Sequence, residues 1–431
     1  MNSTPKKLLI AVAALVLLAA LALSLPPVRE SVAWRVENVL TRVRFALNPP
    51  EKVDFALSSP TAAAAPSLPA PTHTATSAAT PTPAEATPLP STPTSTPLPS
   101  SARLEGVTYQ TQHGFYNYCA PANLYMGLRF WNWQGDVNEL GPMLKPFAKD
   151  KNVMPYEMVD YVNTYTNLKA IERVGGDLDL LKRMIAAGYP VLIEKGFRTR
   201  DIHGQISWMG HYNFVTGYDD DRQIFIVQDS YIKENNEVDY ALLSEEWLSF
   251  NYTYILIYPP EDEDKILALL GPDADEIANI QSALEKASTE IYQTEGTNQF
   301  FAWYNYGTNL VSLQDFGGAA QAFDNAFAIY NSLPDDLSLR PYRILWYETG
   351  PYFAYYYTGR YSDVVQLATN NSIAQVKDDE PALEESFYWR AMARAALGET
   401  GGAVEDVQAC LQYHEGFEPC MLLAQQLGVQ P

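Results

Sequence analysis

From Ser58 to Ser101 the chain is built almost entirely of Pro, Thr, Ser and Ala, as in TPTPAEATPLPSTPTSTPLPSS. Such a run has nothing to bury, so residues 58–102 are expected to form a disordered linker that no packed domain can cross. Whatever folds on a large scale must follow it. Proline-dense chain favours polyproline II at about 3.1 Å per residue, so the run reaches at most roughly 130 Å. It reads as a stalk.

The residues before it read as an address. Lys6 and Lys7 precede Leu8–Leu25, a stretch of apolar or small residues without a charge, which ends at Pro26-Pro27. That is just long enough to span a bilayer and long for a signal-peptide core. No small-x-small cleavage site follows. Residues 1–27 are therefore expected to be an uncleaved signal anchor, a transmembrane helix, or a signal peptide if they are removed. Lysines on the N-terminal flank would stay cytoplasmic. The folded domains would then be extracytoplasmic on a single-pass membrane protein, or secreted after cleavage. Residues 28–57 form a juxtamembrane segment with apolar residues at helical spacing (Val32, Val36, Val39, Leu40, Val43).

A hydrophobic content of 47%, with 8 Trp and 28 Tyr, excludes wholesale disorder of the remainder. The net charge is −22, and from Glu261 onward 26 Asp/Glu face 8 Lys/Arg, so −18 of it lies there. That field repels nucleic acid, and no nucleic-acid partner is expected.

Residues 103–260 read as an α+β domain. An apolar helical run follows Cys119, and further helical patterns cover Pro155–Thr166 and Asp177–Ala187, with Gly188 at a C-cap position. The period then changes. PVLIEK (190–195), YNFVTGY (212–218), QIFIVQ (223–228) and TYILIY (253–258) are rich in β-branched and aromatic residues and read as strands. Residues 261–431 read as helical throughout. Trp303, Tyr306, Gly307, Leu310, Ala319, Phe323 and Ala326 have tetratricopeptide-repeat spacing. The pattern returns around Gly359-Arg360-Tyr361 and again at Phe387, Ala391, Gly398, Ala403, Val407 and Cys410.

Cys119 carries the chemistry. A cysteine at a helix start meets unpaired N–H groups and the positive end of the helix dipole, which favour the thiolate. A thiolate nucleophile needs a base, and the base an orienter. Outside the stalk and the repeats the histidines are His113, His203 and His211. His211 opens the run GHYNFVTGYDDDRQIFIVQDSY, two strands around a turn at Asp219–Asp221. With the turn centred on Asp220, His211 falls opposite Asp229, with Cβ atoms about 5 Å apart. A carboxylate there can fix the imidazole tautomer and support the imidazolium. The three consecutive aspartates match no calcium loop, and no metal or cofactor is expected. Cys410 and Cys420, the remaining pair, are candidates for a disulfide in an exported protein.

Gln112, Asn117-Tyr118-Cys119-Ala120-Pro121-Ala122, LKRMIAAGYPVLIE, GHYNFVTGYD and QDSY occur in that order. Together they resemble the bacteriocin-processing (double-glycine leader) cysteine peptidase family over about residues 105–258. The resemblance implies a papain-like fold, with Cys119 as nucleophile, His211 as general base, Asp229 as orienter and Gln112 as oxyanion donor, Gln110 competing for the last role. The chain departs from the family with Ala120 where Gly is usual and Ser230 where Pro is frequent. It also has no transporter or ATP-binding segment. The expectation is an exported, membrane-tethered thiol peptidase whose helical repeats recruit a protein partner. A silent peptide-binding scaffold and an acyl transferase with the same residues are the alternatives.

Overall fold

The structure, a computed structural model, describes residues 55, 97–115, 117–147, 150–200, 206–336, 338–370 and 383–429. The proposed anchor, most of the juxtamembrane segment and most of the linker lie outside the described residues, as does His203. Among the described residues no helix is long and apolar enough to cross a membrane.

The first folded part is a seven-stranded sheet with helices. In chain order it comprises β1 (Ser101–Arg103), α1 (Cys119–Phe130), α2 (Val137–Leu144), α3 (Pro155–Tyr165), β2 (Lys169–Arg173), α4 (Leu178–Ala186), β3 (Val191–Arg200), β4 (Ile206–Asp219), β5 (Ile224–Asp229), β6 (Lys233–Asp239), α5 (Tyr240–Leu248) and β7 (Tyr254–Tyr258). The strands run in the order β2-β7-β3-β4-β5-β6, with β1 also on β4. Every pairing is antiparallel. The four expected strands are present, and β3 and β4 run longer than their apolar cores.

Three strands were unread in the sequence. β2 (KAIER) and β6 (KENNEVD) close the two ends of the sheet. Edge strands with few apolar residues are less open to pairing with other chains, and for the same reason carry no hydrophobic signature. β1 begins inside the segment assigned to the linker, so ordered pairing starts at Ser101.

The central strands bury both faces, which explains their nearly continuous apolar runs. Along β7, Tyr254, Leu256 and Tyr258 enter one core while Ile255 and Ile257 enter the other. Along β3, Leu192 lies in the second core between Val191 and Ile193 in the first. The second core lies under α1, α2 and α3, where Leu124, Leu128, Leu140, Met158 and Val162 meet Phe214 of β4.

After β7 the chain is helical: α6 (Glu263–Leu270), α7 (Glu276–Gln293), α8 (Gly296–Ser312), α9 (Phe316–Ser332), α10 (Gly350–Tyr357), α11 (Tyr361–Ala368), α12 (Glu384–Ala396), α13 (Thr400–Tyr413) and α14 (Glu418–Gln426). The pairs α8/α9, α10/α11 and α12/α13 are the helical hairpins that the periodicity marks. Gly307 of α8 has no room for a side chain, because a Cβ there would meet the Phe323 ring of α9 at 2.8 Å. Cys410 and Cys420 are disulfide-bonded, joining the end of α13 to the start of α14.

The helical region is not a detached arm. The largest apolar core runs without a break from the sheet (Val191, Trp208, Val215, Leu256) into the helices (Phe301, Tyr304, Phe323) and the connection before α10 (Tyr347). Trp208 packs on Phe301 and Tyr347, with ring centroids 5.5 and 5.8 Å away. Asn251 and Asn309 exchange amide hydrogen bonds at 2.7 and 3.2 Å across the buried boundary.

Phe55 qualifies the stalk reading. Its side chain is buried on α9, stacked at 4.6 Å on Phe327 and edge-on at 4.5 Å to Tyr330. Asn331 donates a hydrogen bond to its carbonyl at 3.1 Å. The chain is thus held on the folded body at Phe55 and again where Tyr218 donates to the carbonyl of Pro99 at 2.7 Å. The proline-rich run connects two points of one body, so its extended length does not set a distance from a membrane.

Candidate active site

Cys119 is the first residue of α1. Asn117, two residues earlier, takes up φ +44°, a left-handed conformation that Asn tolerates better than most residues and that turns the chain into the helix. One turn into α1, buried Asn123 faces the sheet and donates through Nδ2 to the carbonyls of Cys119 (2.8 Å) and Tyr212 (3.0 Å) and to Ser230 Oγ (3.1 Å). This amide ties the cysteine-bearing turn to β4 and to the turn after β5. A lone amide inside the apolar run NLYMGLRF was the available signal for it.

His211 lies on β4, opposite Lys195 of β3, and is 2% exposed. Its Nε2 hydrogen-bonds Asp229 Oδ1 at 2.8 Å. The two meet by a different register from the one the hairpin count implied. Phe214 pairs with Gln228, and a bulge between Val215 and Gly217 shifts the rest of the ladder. Continued past Gln228, that register sets Asp229 opposite Asn213, so His211 reaches it as a diagonal neighbour on the same face. The count missed the turn's true centre, which lies beyond Asp220, with Gln223 at φ +54°.

Asp229 is buried, and its Oδ1 also accepts the N–H groups of Tyr231 (2.9 Å) and Ile232 (3.0 Å). Burial opposes its charge, but the His211 imidazolium, its hydrogen bond and the Lys195 ammonium win, holding the carboxyl well below the usual carboxylate range. For His211, burial pushes the pKa down, yet the Asp229 charge, the hydrogen bond that Asp229 accepts and the neighbouring Cys119 raise it to about 9. For Cys119, burial pushes the thiol up, but the hydrogen bond and positive charge of His211 and a backbone bond from Tyr212 bring it below its ordinary value. With Nε2 engaged by Asp229, Nδ1 is the nitrogen left to face the thiol. Both shifts favour a thiolate–imidazolium pair. The Phe197 ring, 4.8 Å from the imidazole, walls it from water.

Gln112 joins this group through Ser230. Ser230 Oγ donates to Gln112 Oε1 at 2.7 Å, and the Gln112 N–H donates to the Ser230 carbonyl at 3.0 Å. The amide is thereby oriented by its oxygen, which is held on Ser230. Gln110 instead donates to the carbonyl of Thr111 at 2.8 Å, with no bond into the Asn123–Ser230 network. His113 bonds the carbonyl of Tyr231 through Nε2 at 2.8 Å. Ser230, the departure from the family pattern, is the link between Gln112 and the helix of Cys119.

Residues 104–255 match the family model described as Peptidase_C39 like family, about a third of the chain. This part is therefore similar to C39-like peptidases, a sheet-and-helix peptidase-type domain followed here by a helical region. Among solved structures, a Bacillus anthracis protein described as a C39-like peptidase aligns over 36% of this chain and 96% of its own. The identity is 16% and the TM-score 0.30. No curated protein matches.

Proposed function

We propose that this chain is an exported, membrane-tethered thiol peptidase, related to the bacteriocin-processing peptidases, that hydrolyses peptide bonds with Cys119, His211, Asp229 and Gln112. The observation that carries this reading is the buried His211–Asp229 hydrogen bond, whose imidazole also draws the Cys119 thiol below its ordinary pKa. In the proposed reaction the Cys119 thiolate attacks the scissile carbonyl carbon and forms a C–S bond. The oxyanion takes hydrogen bonds from Gln112 Nε2 and from N–H groups at the start of α1. His211 then protonates the departing amine as the C–N bond breaks. Water, deprotonated by His211, cleaves the thioester and restores the thiol.

The apolar run Leu8–Leu25 supports tethering, and the helical hairpins support a protein-recruiting role for residues 261–431. Because those helices share a core with the sheet, a recruited partner would be presented at a set orientation to Cys119.

A peptide vinyl sulfone probe and a fluorogenic peptide library test the proposal on the full chain. Expected are a single adduct at Cys119 and turnover that disappears in Cys119→Ala. Turnover that survives in Cys119→Ala would refute the mechanism. A strict need for an added amine acceptor would replace hydrolysis by acyl transfer.

A further inference from the structure

A second cluster of chemically capable side chains lies where the sheet domain meets the last helical hairpins. Glu157 comes from α3, Glu384 from the start of α12, and His414 follows α13. One ligand atom from each lies within 4.8 Å of the others. Glu384 is buried, and its Oε1 receives the His414 Nδ1 at 2.6 Å. The Asp150 carboxylate, also buried, interacts electrostatically with Glu384.

The surroundings add an independent observation. Glu385 is 7% exposed; its Oε1 accepts the Tyr156 hydroxyl at 3.1 Å, while its Oε2 is buried without a hydrogen-bond partner. It follows Glu384 directly at the start of α12, and its charge is felt by Glu157, Asp150 and His414. An orphaned carboxylate oxygen inside a protein is costly, and a cation held nearby would offset that cost.

We propose that Glu157, Glu384 and His414 bind a divalent zinc-class ion that staples the sheet domain to the terminal hairpins. The donor set selects the metal. An imidazole nitrogen with two carboxylates, and few further donors, suits zinc rather than calcium, which takes six to eight oxygens. Zinc bonds of about 2.0–2.2 Å in a tetrahedral site set donors roughly 3.4 Å apart, so the widest separation closes by about 1.4 Å while the His414–Glu384 contact opens. The ion replaces the proton shared between His414 and Glu384, which leaves to solvent. The disulfide Cys410–Cys420 brackets His414 and limits where its loop can go.

The test uses the full chain carrying Cys119→Ala, so that the thiol cannot take the metal. Zinc is titrated in a chelator buffer, with bound metal counted by mass spectrometry and Tm read in parallel. Expected are one zinc per chain, a rise in Tm with zinc, loss of both in His414→Ala, and at least tenfold weaker binding in Glu384→Gln. Glu157→Gln, on the other side of the domain boundary, should weaken binding comparably and guards against a folding defect in His414→Ala. Zinc binding absent from the parent, or unchanged in Glu157→Gln and Glu384→Gln, would overturn the proposal. A site that answers to calcium or magnesium and not to zinc would overturn the assignment of the metal.

Discussion

Asp229→Asn separates the two contributions that Asp229 makes to the His211 imidazole. Asparagine has the same shape and can still hydrogen-bond Nε2, so orientation is largely kept, but the negative charge is gone. Burial, which by itself pushes His211 down, is then opposed mainly by Cys119, and the imidazole should fall from about 9 towards its ordinary 6.5. That fall is worth about 3 kcal/mol of thiolate–imidazolium stability, on the order of a 100-fold change in the ion-pair equilibrium. Direct alkylation reads this without knowledge of the substrate. Cys410 and Cys420 are joined, so iodoacetamide uptake by the native protein reports Cys119 alone. Below the thiol's lowered pKa both groups are protonated and uptake is slow. In the wild type the onset should lie below the ordinary thiol value of 9.0. In Asp229→Asn the thiol must ionise beside a neutral ring, so the onset moves up towards or past that value. The rate at pH 7 should drop about 100-fold, and peptidase turnover by roughly 10²–10⁴. An unchanged onset in Asp229→Asn would refute the reasoning, because the carboxylate would then not be setting the imidazole's charge.

Ser230→Ala removes the hydroxyl that orients the Gln112 amide; it should slow acylation of a peptide substrate about tenfold or more, a share of what a full oxyanion donor contributes, while iodoacetamide uptake at Cys119 stays unchanged. Gly210→Ala would place a Cβ 2.7 Å from both Phe250 and Tyr347, at the seam between sheet and helices and next to His211. Chemical denaturation should show a loss of about 1–3 kcal/mol, as overpacking does, and turnover should fall with it. Replacing both Cys410 and Cys420 by Ser opens a loop of sequence separation 10. The expected loss is about 2–3 kcal/mol by denaturant titration, with Cys119 reactivity retained.

The parts of this chain readable in advance were those with a local cause. Cys119 at a helix start follows from an apolar run of period 3.6 just behind it, and the β4–β5 hairpin from alternating residues around an aspartate turn. The α8/α9 hairpin was visible because small residues such as Gly307 recur where two helices touch. The pairing of Cys410 with Cys420 was a matter of parity and short separation. Each of these rests on residues a few positions apart, where geometry follows from the backbone's own period.

What depended on distant residues stayed out of reach. The bulge at Val215/Gly217 and the turn's true centre changed the register without changing any alternation, so His211 meets Asp229 diagonally. The link from Gln112 through Ser230 to Asn123 joins three segments that no periodicity relates. β6 stayed hidden because an edge strand held by backbone hydrogen bonds needs little apolar side chain. The union of sheet and helices in one core, and the seating of Phe55 on α9, depend on which apolar faces are complementary in shape once both are folded. An apolar residue in the sequence says that a surface will be covered; the surface that covers it is chosen by the summed packing of many weak contacts, which exist only in the assembled molecule.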